Sequence, residues 1–454
     1  MAIAVSDNYL ACLKSYYKDG MANLMFRNSP VLGKVKTSNV EGKDVKFSAL
    51  ASRGGAVSAD YEKVVTIANA NTGLVKEFTV TPGELHAAYV VSIDELMAAK
   101  TQKGAYKSIA GVKMFNSTEG FRKSLAMCLY GDGTGYLFTH TGATGNESIP
   151  AQSATTSLEV AVDDTSAIMK IDVGSILAVK TSKTAAESNY CEVLKIAGNK
   201  VYLRAYGFSS SASAITLTAT TDYYFHLAGS VDATGKLLPV GLDAWLPKTA
   251  PSSGESFFGV DRSIAPERLA GARYSKGESE GIDSAIVNAM KIARRQGSMA
   301  DMIIMNDNDF GDFCKATLAD NKFVTYTSAK AKKYASAGWT GAAAAFATNY
   351  IDSIIDDPFC PKGTAYILDS KTIEFWTYTS DNAQKDGNGQ NEIDKAEEVV
   401  EGEEKGREYN LFADNYISIQ PGTINKHGPT SIVSLHWKGQ FVVTNPSLNA
   451  VVSL

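Results

Sequence analysis

The sequence predicts an α+β fold into which a small β-rich domain is inserted. Hydrophobic residues make up 44% of the 454 residues, close to the share in ordinary globular chains, so the chain can bury a substantial core. Segments with apolar residues at helical spacing flank a stretch of about 100 residues in which short runs alternate apolar and polar residues. This composition excludes disorder, collagen and coiled coil as descriptions of the whole chain.

Residues 1–38 are predicted to form an N-terminal arm with one amphipathic helix. Ser6 is the expected N-cap, and apolar side chains recur at helical spacing after it. These side chains are Leu10, Leu13, Tyr17, Met21 and Leu24. Between residues 10 and 46, seven basic residues against three acidic ones give a local charge of +4. That charge suits nucleic acid or a neighbour's carboxylates, and it equally suits a solvated surface.

Residues 39–84 are predicted to form a long hairpin or loop. The sequence here is extended and polar, and the stretch SRGGAVSADY predicts a flexible tip at Ser52–Ser58. A projecting loop of about forty residues is uncommon inside a compact monomer. We therefore expect this segment to contact another molecule.

A long helix is predicted from about Ala105 to Tyr130, followed by the β-rich region at residues 138–237. The glycine-rich run Gly131–Gly135 ends the helix. The apolar stripe of the helix is Ala110, Met114, Phe121, Leu125, Cys128 and Leu129. In the β-rich region, runs such as KVYLRAY and AITLTAT have the period of half-buried strands, and Gly198 with Asn199 predicts a hairpin turn.

From residue 238 onward the sequence again predicts mixed helices and strands. A strand is predicted at Met302–Met305, then a short helix that begins near Asp307 or Asn308 and directs Phe310 and Phe313 inward. The helix before that strand has its apolar stripe at Ile282, Ala285, Ile286, Ala289 and Ala293. Later strands are Ala365–Asp369, Ile373–Tyr378 and the runs YISIQ, SIVSLHW and QFVVTN.

An acidic loop is predicted at residues 381–410. Ten acidic residues against four basic ones give it a charge of −6, so the rest of the chain carries +1. We interpret it as a solvated, mobile loop, with cation binding or repulsion of a like-charged partner as the alternative.

No motif in the sequence predicts an active site, so the protein is not expected to be an enzyme. The five histidines are far apart and no cysteines form a CxxC pair, so we predict no metal and no cofactor. The five cysteines are expected to be free and mostly buried, as in a reducing compartment. No secretion signal and no membrane span are predicted.

The order of several segments resembles that of the major capsid proteins of tailed bacteriophages. The segments are FTVTPGELHAAYVVSIDELMAA, SLAMCLYGDGTG, GVDRSIAPERLAGARY and DSIIDDPFCPKGTAYILD. The resemblance implies the Hong Kong 97-like capsid fold, with an N-arm, an E-loop, a P-domain that contains a long spine helix, and an A-domain. It places the E-loop at 39–84, the P-domain at 85–137 and 238–264, the A-domain at 265–380, and C-terminal strands of both at 411–454. Residues 138–237 depart from the minimal family pattern as an insertion.

The resemblance also implies a function and partners. The chain is expected to assemble with itself into hexamers and pentamers of an icosahedral or prolate head shell that encloses double-stranded DNA. Expected partners are portal, scaffold and decoration proteins and non-specifically contacted DNA, with no membrane. The expected location is the virion capsid, assembled in the bacterial host cytoplasm. Because the E-loop begins near residue 39, we expect any scaffold to be a separate protein.

The tip of the E-loop is the expected assembly site, and two other functions remain open. The candidate residues are Arg53, Gly54, Gly55, Asp60 and Tyr61. One alternative is an encapsulin-like nanocompartment shell, which would enclose a cargo protein instead of a genome. The other is a β-rich binding module built on the Thr-rich strands.

Overall fold

The computed structural model describes residues 31, 35–40, 43–71, 73–92, 109–142, 146–162, 164–183, 185–208, 210–232, 235–236, 238–319, 353–378, 418–424 and 430–454. The predicted N-terminal helix and the acidic loop lie outside these residues. The described residues belong to two compact units. The larger unit comprises those in Ser29–Gly83, Ala126–Trp376 and Gly439–Leu454, and the smaller comprises those in Glu84–Leu125 and Thr377–Lys438.

The described residues form a mixture of strands and helices. The strands are β1 (Lys36–Val40), β2 (Val45–Ser52), β3 (Leu74–Val80), β4 (Gly83–Ser92), β5 (Tyr136–Thr141), β6 (Glu147–Ile149), β7 (Leu158–Ala161), β8 (Ile176–Lys180), β9 (Asn189–Ala197), β10 (Lys200–Tyr206), β11 (Ile215–Leu217), β12 (Asp222–Leu227), β13 (Val231–Asp232), β14 (Gly235–Lys236), β15 (Ser256–Phe257), β16 (Val260–Asp261), β17 (Ala272–Ser275), β18 (Met302–Met305), β19 (Ser353–Asp356), β20 (Thr364–Leu368), β21 (Ile373–Tyr378), β22 (Ser418–Ile424), β23 (Thr430–Val443) and β24 (Ala450–Ser453). The helices are α1 (Tyr61–Ala70), α2 (Ile109–Leu129), α3 (Thr165–Met169), α4 (Leu242–Trp245), α5 (Pro266–Leu269), α6 (Ile282–Arg295) and α7 (Asp307–Ala319), with short 3₁₀ turns at Arg262–Ile264, Ser370–Thr372 and Pro446–Leu448.

A five-stranded mixed sheet forms one core of the larger unit. Its order is β17-β24-β20-β18-β19, with parallel pairs at both ends and antiparallel pairs between them. Helix α6 buries the predicted face against this sheet, and Phe310 and Phe313 of α7 join the same core. Helix α7 begins at Asp307, one of the two predicted starting residues. Asn306 provides the cap, because its side-chain oxygen accepts the N–H of Asn308 at 3.1 Å.

A six-stranded antiparallel sheet is formed by residues of the β-rich region. Its order is β5-β12-β8-β9-β10-β7, and β6 pairs separately with β11. The predicted turn at Gly198 and Asn199 joins β9 to β10, and Gly198 has φ of +61°. The run AITLTAT forms a shorter strand than expected. Strand β11 ends at Leu217, and Thr220 adopts a left-handed φ of 58° in the turn before β12.

The smaller unit contains β4, β22, the first part of β23 and the first part of α2. Strand β23 pairs with β22 and with β4. It is one continuous strand of 14 residues, whereas the sequence predicted two strands in this region. The long helix predicted from about Ala105 to Tyr130 is present over Ile109–Leu129, and residues 105–108 lie outside the described residues. Phe121 and Leu125 of its stripe are buried, as are Cys128 and Leu129 in the larger unit.

Candidate assembly surface

Strands β2 and β3 belong to the larger unit and form an antiparallel hairpin. One face of the hairpin packs against the rest of that unit, and the other face is in solvent. Its Cα pairs run from Val45 with Val80 to Ser52 with Leu74. On the solvent face, Lys46 and Glu77 form an ion pair of 3.0 Å. Further along the same face lie the cross-strand neighbours Leu50 and Val75, each 60% exposed. Exposed apolar cross-strand pairs of this kind are available for burial against another molecule.

The segment that joins the two strands is ordered around glycine. Gly55 has φ of +87°; its N–H donates to the carbonyl of Asn71 at 2.9 Å, and the Asn71 side chain donates back to the Gly55 carbonyl at 3.1 Å. Gly73 has φ of +79°, and a Cβ there would lie 2.8 Å from the nitrogen of Gly54. Gly73 therefore permits a backbone approach that a larger residue would block.

Helix α1 lies in this joining segment and was not predicted from the sequence. Asp60 is its N-cap: the carboxylate accepts the N–H groups of Glu62 at 3.1 Å and Lys63 at 3.3 Å. None of the residues of α1 is buried, and Tyr61 is 80% exposed. A capped helix without a buried face gains little stability from its own subunit.

Exposed apolar side chains are concentrated on this hairpin. Six of the twelve large hydrophobic side chains that are exposed among the described residues lie between Val45 and Val80. They are Leu50, Val57, Tyr61, Val65, Ile67 and Val75, which we call the hairpin apolar surface. Such a concentration on a short segment is typical of a contact surface.

The root of the hairpin is held by an aromatic cluster centred on the buried Trp245. Phe47 and Phe78 stack with ring centroids 5.1 Å apart, and Phe78 lies 5.6 Å from Trp245. The indole N–H of Trp245 donates to the carbonyl of Phe441 at 2.8 Å. Phe257 packs edge-on against Trp245 at 4.9 Å. Aromatic packing of this extent fixes where the two strands leave the core.

Two backbone carbonyls accept further hydrogen bonds that hold the hairpin, one at its root and one at the end of β2 that leads into the joining segment. The N–H of Thr79 donates to the carbonyl of Phe258 at 2.9 Å, and the Arg268 guanidinium donates to the carbonyl of Ala51 at 2.6 Å. Phe258 has a left-handed φ of 48°, a conformation that costs a non-glycine residue free energy. Its ring packs 5.5 Å from that of Trp245, which offsets this cost.

Arg262 is a buried cation beneath this cluster, only 2% exposed. Its guanidinium donates to the carbonyl of Ala244 at 2.7 Å and lies 3.9 Å from the centroid of the Phe257 ring. Burial lowers the pKa of Arg262 to about 10. The side chain therefore stays charged at neutral pH and ties α4 to the β15–β16 hairpin.

The five predicted tip residues lie together in the segment between β2 and β3. Arg53, Gly54 and Gly55 are exposed and precede α1, whereas Asp60 and Tyr61 begin it. The sequence interpretation missed the root residues, because Trp245 and Arg262 are more than 160 residues from the hairpin in sequence. For α1 a signal was present: Asp60 precedes a run of twelve residues without Gly or Pro.

A buried polar cluster lies beside the interior strands β8 and β12 of the six-stranded sheet. The carboxylate of Glu187 accepts the N–H groups of Gly229, Ser230 and Val231 at 2.8–3.1 Å. The Lys180 ammonium lies 3.9 Å from Glu187, and both side chains are buried. These contacts fasten the connection between β8 and β9 to the turn after β12.

His226 lies in the same cluster and is fully buried. Its Nδ1 lies 2.9 Å from the carbonyl of Thr134, which can only accept, so Nδ1 carries the proton. Burial lowers the pKa of His226, and the ammonium of Lys180 lowers it further. His226 is therefore neutral in the folded protein at pH 7.

The described residues do not assemble a catalytic set. His140 pairs with Glu147 at 2.7 Å, with no nucleophile among its described contacts, and His427 lies outside the described residues.

Burial raises the pKa of Cys128 to about 12 and raises that of Cys360, so these thiols are not reactive. Four cysteines are free, as predicted, and Cys12 lies outside the described residues. In the described part of the chain, no group of three or more His, Cys, Asp or Glu side chains is arranged to hold a metal ion, and no helix there is long and apolar enough to cross a membrane.

The chain is similar in structure to solved capsids. It matches the cyanophage A-1(L) capsid with a TM-score of 0.51 and 14% identity, over 97% of this chain and 96% of that chain. It matches the capsid of a native GTA particle with a TM-score of 0.46 and 9% identity, over 100% of this chain and 98% of that chain. It matches the SrpI encapsulin of Synechococcus elongatus with a TM-score of 0.45 and 7% identity, over 99% of this chain and 96% of that chain. Of these three, the first exceeds a TM-score of 0.5, and the chain has the fold of a phage capsid protein. No protein-family model and no curated protein sequence matches the chain.

Proposed function

We propose that this chain is the major capsid protein of a tailed bacteriophage, which assembles with itself into hexamers and pentamers of a head shell around double-stranded DNA. The observation that carries the proposal is the hairpin apolar surface, an exposed apolar segment rooted rigidly in a chain with a phage capsid fold. A closed shell requires each subunit to bury matching surface on several neighbours.

The hairpin suits this role because its root is packed in the core of its own chain while its other end is exposed. The aromatic cluster around Trp245 fixes the root, while Leu50, Val75 and most of the described residues between them, apart from the buried Ala51, remain exposed in the single chain. An arm that lies across a neighbour adds buried area without enlarging its own subunit's core, toward the roughly 800 Å² per partner of a stable interface. Burial of Leu50, Val75 and the apolar side chains of α1 would then stabilise both the contact and the helix.

The same proposal assigns roles to the remaining segments. The E-loop is residues 39–84, the P-domain is built around α2, and the A-domain at residues 265–380 contains strands β17 to β20 of the five-stranded sheet. Residues 138–237 form an inserted domain that braces neighbouring subunits. Portal, scaffold and decoration proteins are the further partners. The particle is assembled in the cytoplasm of the bacterial host and becomes the virion capsid.

Negative-stain electron microscopy and sedimentation of the purified full chain test the proposal. We expect closed shells, tubes or capsomers from the parent chain. The double variant Leu50→Asp with Val75→Asp should remain folded, because both side chains are exposed, and should shift to subunits that do not assemble. Met299→Asp, at a methionine that is 63% exposed and lies outside both the hairpin and the inserted domain, is the control and should assemble as the parent does.

Two results would contradict the proposal. A parent chain that stays monomeric alone and with candidate scaffold proteins would favour a binding module. Particles from the native source that contain a cargo protein and no DNA would instead favour a nanocompartment shell. Nuclease-protected double-stranded DNA inside the particles is the expected result.

A further inference from the structure

Two histidines that are 350 residues apart in sequence form a hydrogen bond between neighbouring strands of the smaller unit. His86 lies on β4 and His436 on β23, with their Nδ1 atoms 2.9 Å apart. The two rings stack with their centroids 4.4 Å apart and their planes inclined by 21°. The His86 side chain is 61% exposed, so the pair can exchange protons with solvent.

The hydrogen bond requires one proton between the two Nδ1 atoms. One ring donates its Nδ1–H, and the other ring must keep a lone pair on Nδ1 to accept it. The carboxylate of Glu84 lies 3.5 Å from Nε2 of His86 and favours a proton on that nitrogen. We therefore assign His86 as the acceptor and His436 as the donor. A histidine that is protonated on both nitrogens can only donate, so the bond is lost when both rings are charged.

One carboxylate faces the pair, and a lysine shares it. The carboxylate of Glu84 lies 3.2 Å from the ammonium of Lys438, two residues after His436 on β23. The other carboxylate among the described residues of the smaller unit is that of Glu119 on α2, which pairs with the guanidinium of Arg122 at 2.9 Å. When both histidines are protonated, three positive charges therefore lie beside one negative charge.

The elements next to the pair supply no further negative charge. Strand β22 pairs with β23 and places Ser418 opposite His436, and no residue of Ser418–Ile424 is charged. Helix α2 contributes Lys123 and Lys113, and the Lys113 ammonium donates to a backbone carbonyl of β4 at 3.0 Å. Protonation of the second ring is therefore opposed by the surroundings as well as by the first ring.

The pKa of His436 has the direction that this arrangement requires. Burial lowers it, and the positive charges of His86 and Lys438 lower it further against the opposing effect of Glu84. A histidine whose pKa is lowered by folding contributes stability that is fully present above its unfolded pKa of about 6.5. That stability is lost as the pH falls below this value.

We propose that the hydrogen bond between His86 and His436 is an acid-sensitive contact, which holds β4 to β23 at neutral pH and breaks when both rings are protonated. One protonated ring still leaves an acceptor for the hydrogen bond, so the contact survives the first added proton and not the second. Acid therefore loosens these two strands within the smaller unit.

Hydrogen–deuterium exchange of the full chain, followed by mass spectrometry at pH 7.5 and 5.0, tests this proposal. After correction for the pH dependence of intrinsic exchange, protection of the amides of β4 and of residues 430–438 should fall at least threefold in acid. Protection of β20 in the five-stranded sheet should change by less than a factor of 1.5 and is the internal reference. Sedimentation at both pH values ensures that one assembly state is compared.

Three variants separate the pair from its surroundings. His86→Gln and His436→Gln each keep a side chain that can donate and accept a hydrogen bond but cannot take up a proton in this range. In both variants the acid-induced fall in protection should be less than half that of the parent. Glu84→Gln should at least double the fall, because it removes the carboxylate that partly compensates the charged rings.

His140→Gln is the matched control, because His140 also lies on a strand beside a glutamate but belongs to the larger unit. It should respond to acid as the parent does, and circular dichroism at pH 7.5 checks that each variant is folded. The proposal is overturned if protection of β4 and β23 in the parent is independent of pH, or if β20 loses protection to the same extent. It is also overturned if a folded His86→Gln or His436→Gln variant responds as the parent does.

Discussion

Phe78 helps to fix the position of the hairpin, because its ring contacts both Phe47 and Trp245 and is fully buried. Phe78→Ala should lower the free energy of unfolding by about 3–5 kcal/mol, the range for removing a core aromatic ring. Val75→Ala, on the same strand but 60% exposed, should change it by less than about 0.5 kcal/mol. Urea unfolding of both variants measures the difference, and equal effects would mean that the root is not packed as described.

His226 makes stability depend on pH. Burial lowers the pKa of His226 in the folded chain, so the unfolded chain takes up the proton at a higher pH. The full stability is present above the unfolded pKa of about 6.5, and part of it is lost as the pH falls below that value toward the folded pKa.

The test of this pH dependence is His226→Asn, which retains a side-chain N–H for the carbonyl of Thr134. Unfolding free energies at pH 7.5 and 5.5 should differ less in the variant than in the parent. An identical pH dependence in the two proteins would show that His226 titrates normally in the folded state.

Helices and strands with a strong local pattern were predictable from the sequence. The apolar stripe of helix α6 was predicted from its regularly spaced Ala and Ile residues, and β18, a short apolar run, was predicted with its observed bounds. Helix α1 was missed because its apolar stripe, Tyr61, Val64, Val65 and Ala68, is short, and the Gly and Ser residues before it suggest a loop. The candidate tip residues could be located, but the cap made by Asp60 was not recognised.

The six-stranded sheet allows a prediction about the inserted segment as an element. Strands β5 and β12 are antiparallel neighbours, so the two ends of the segment lie close together and a short linker can join them. Deletion of residues Phe138 to Lys236 should leave a chain that folds but assembles weakly or into aberrant particles, because the bracing contacts are lost.

Particle yield and heat resistance, measured by sedimentation and by thermal unfolding of assembled material, test the deletion. The deletion also removes Glu187, Lys180 and His226 together, so none of these three buried groups is left without the other two. Unchanged yield and heat resistance would contradict a bracing role.

At the scale of the whole molecule, contacts between distant segments decide the fold, and these could not be predicted. Strand β24 at the end of the chain lies between β17 and β20, and Trp245 donates to the carbonyl of Phe441 across 196 residues. Periodicity reports which face of an element is buried and says nothing of its partner. The resemblance to capsid proteins supplied the order of segments, whereas the pairing of His86 with His436 required the structure.

The balance of charge and apolar surface predicts how assembly responds to salt. The chain carries a net charge of −5, so copies repel each other at low ionic strength, and the hairpin apolar surface gains from exclusion of water. Assembly at neutral pH should therefore increase from 50 mM to 500 mM NaCl as the repulsion is screened, the Debye length falling from about 14 Å to about 4 Å. Sulfate at equal ionic strength should increase it further, because sulfate strengthens apolar burial.

Light scattering and sedimentation across this salt series measure the response, with Leu50→Asp and Val75→Asp combined as the comparison. In that variant the sulfate effect should be smaller, because the added carboxylates remove apolar area from the contact. Assembly that instead decreases with added NaCl would mean that ion pairs between subunits outweigh the apolar contact. In that case the hairpin would contact its neighbours through ion pairs made by charged residues such as Lys46 and Glu77. Leu50 and Val75 would not be its main contacts.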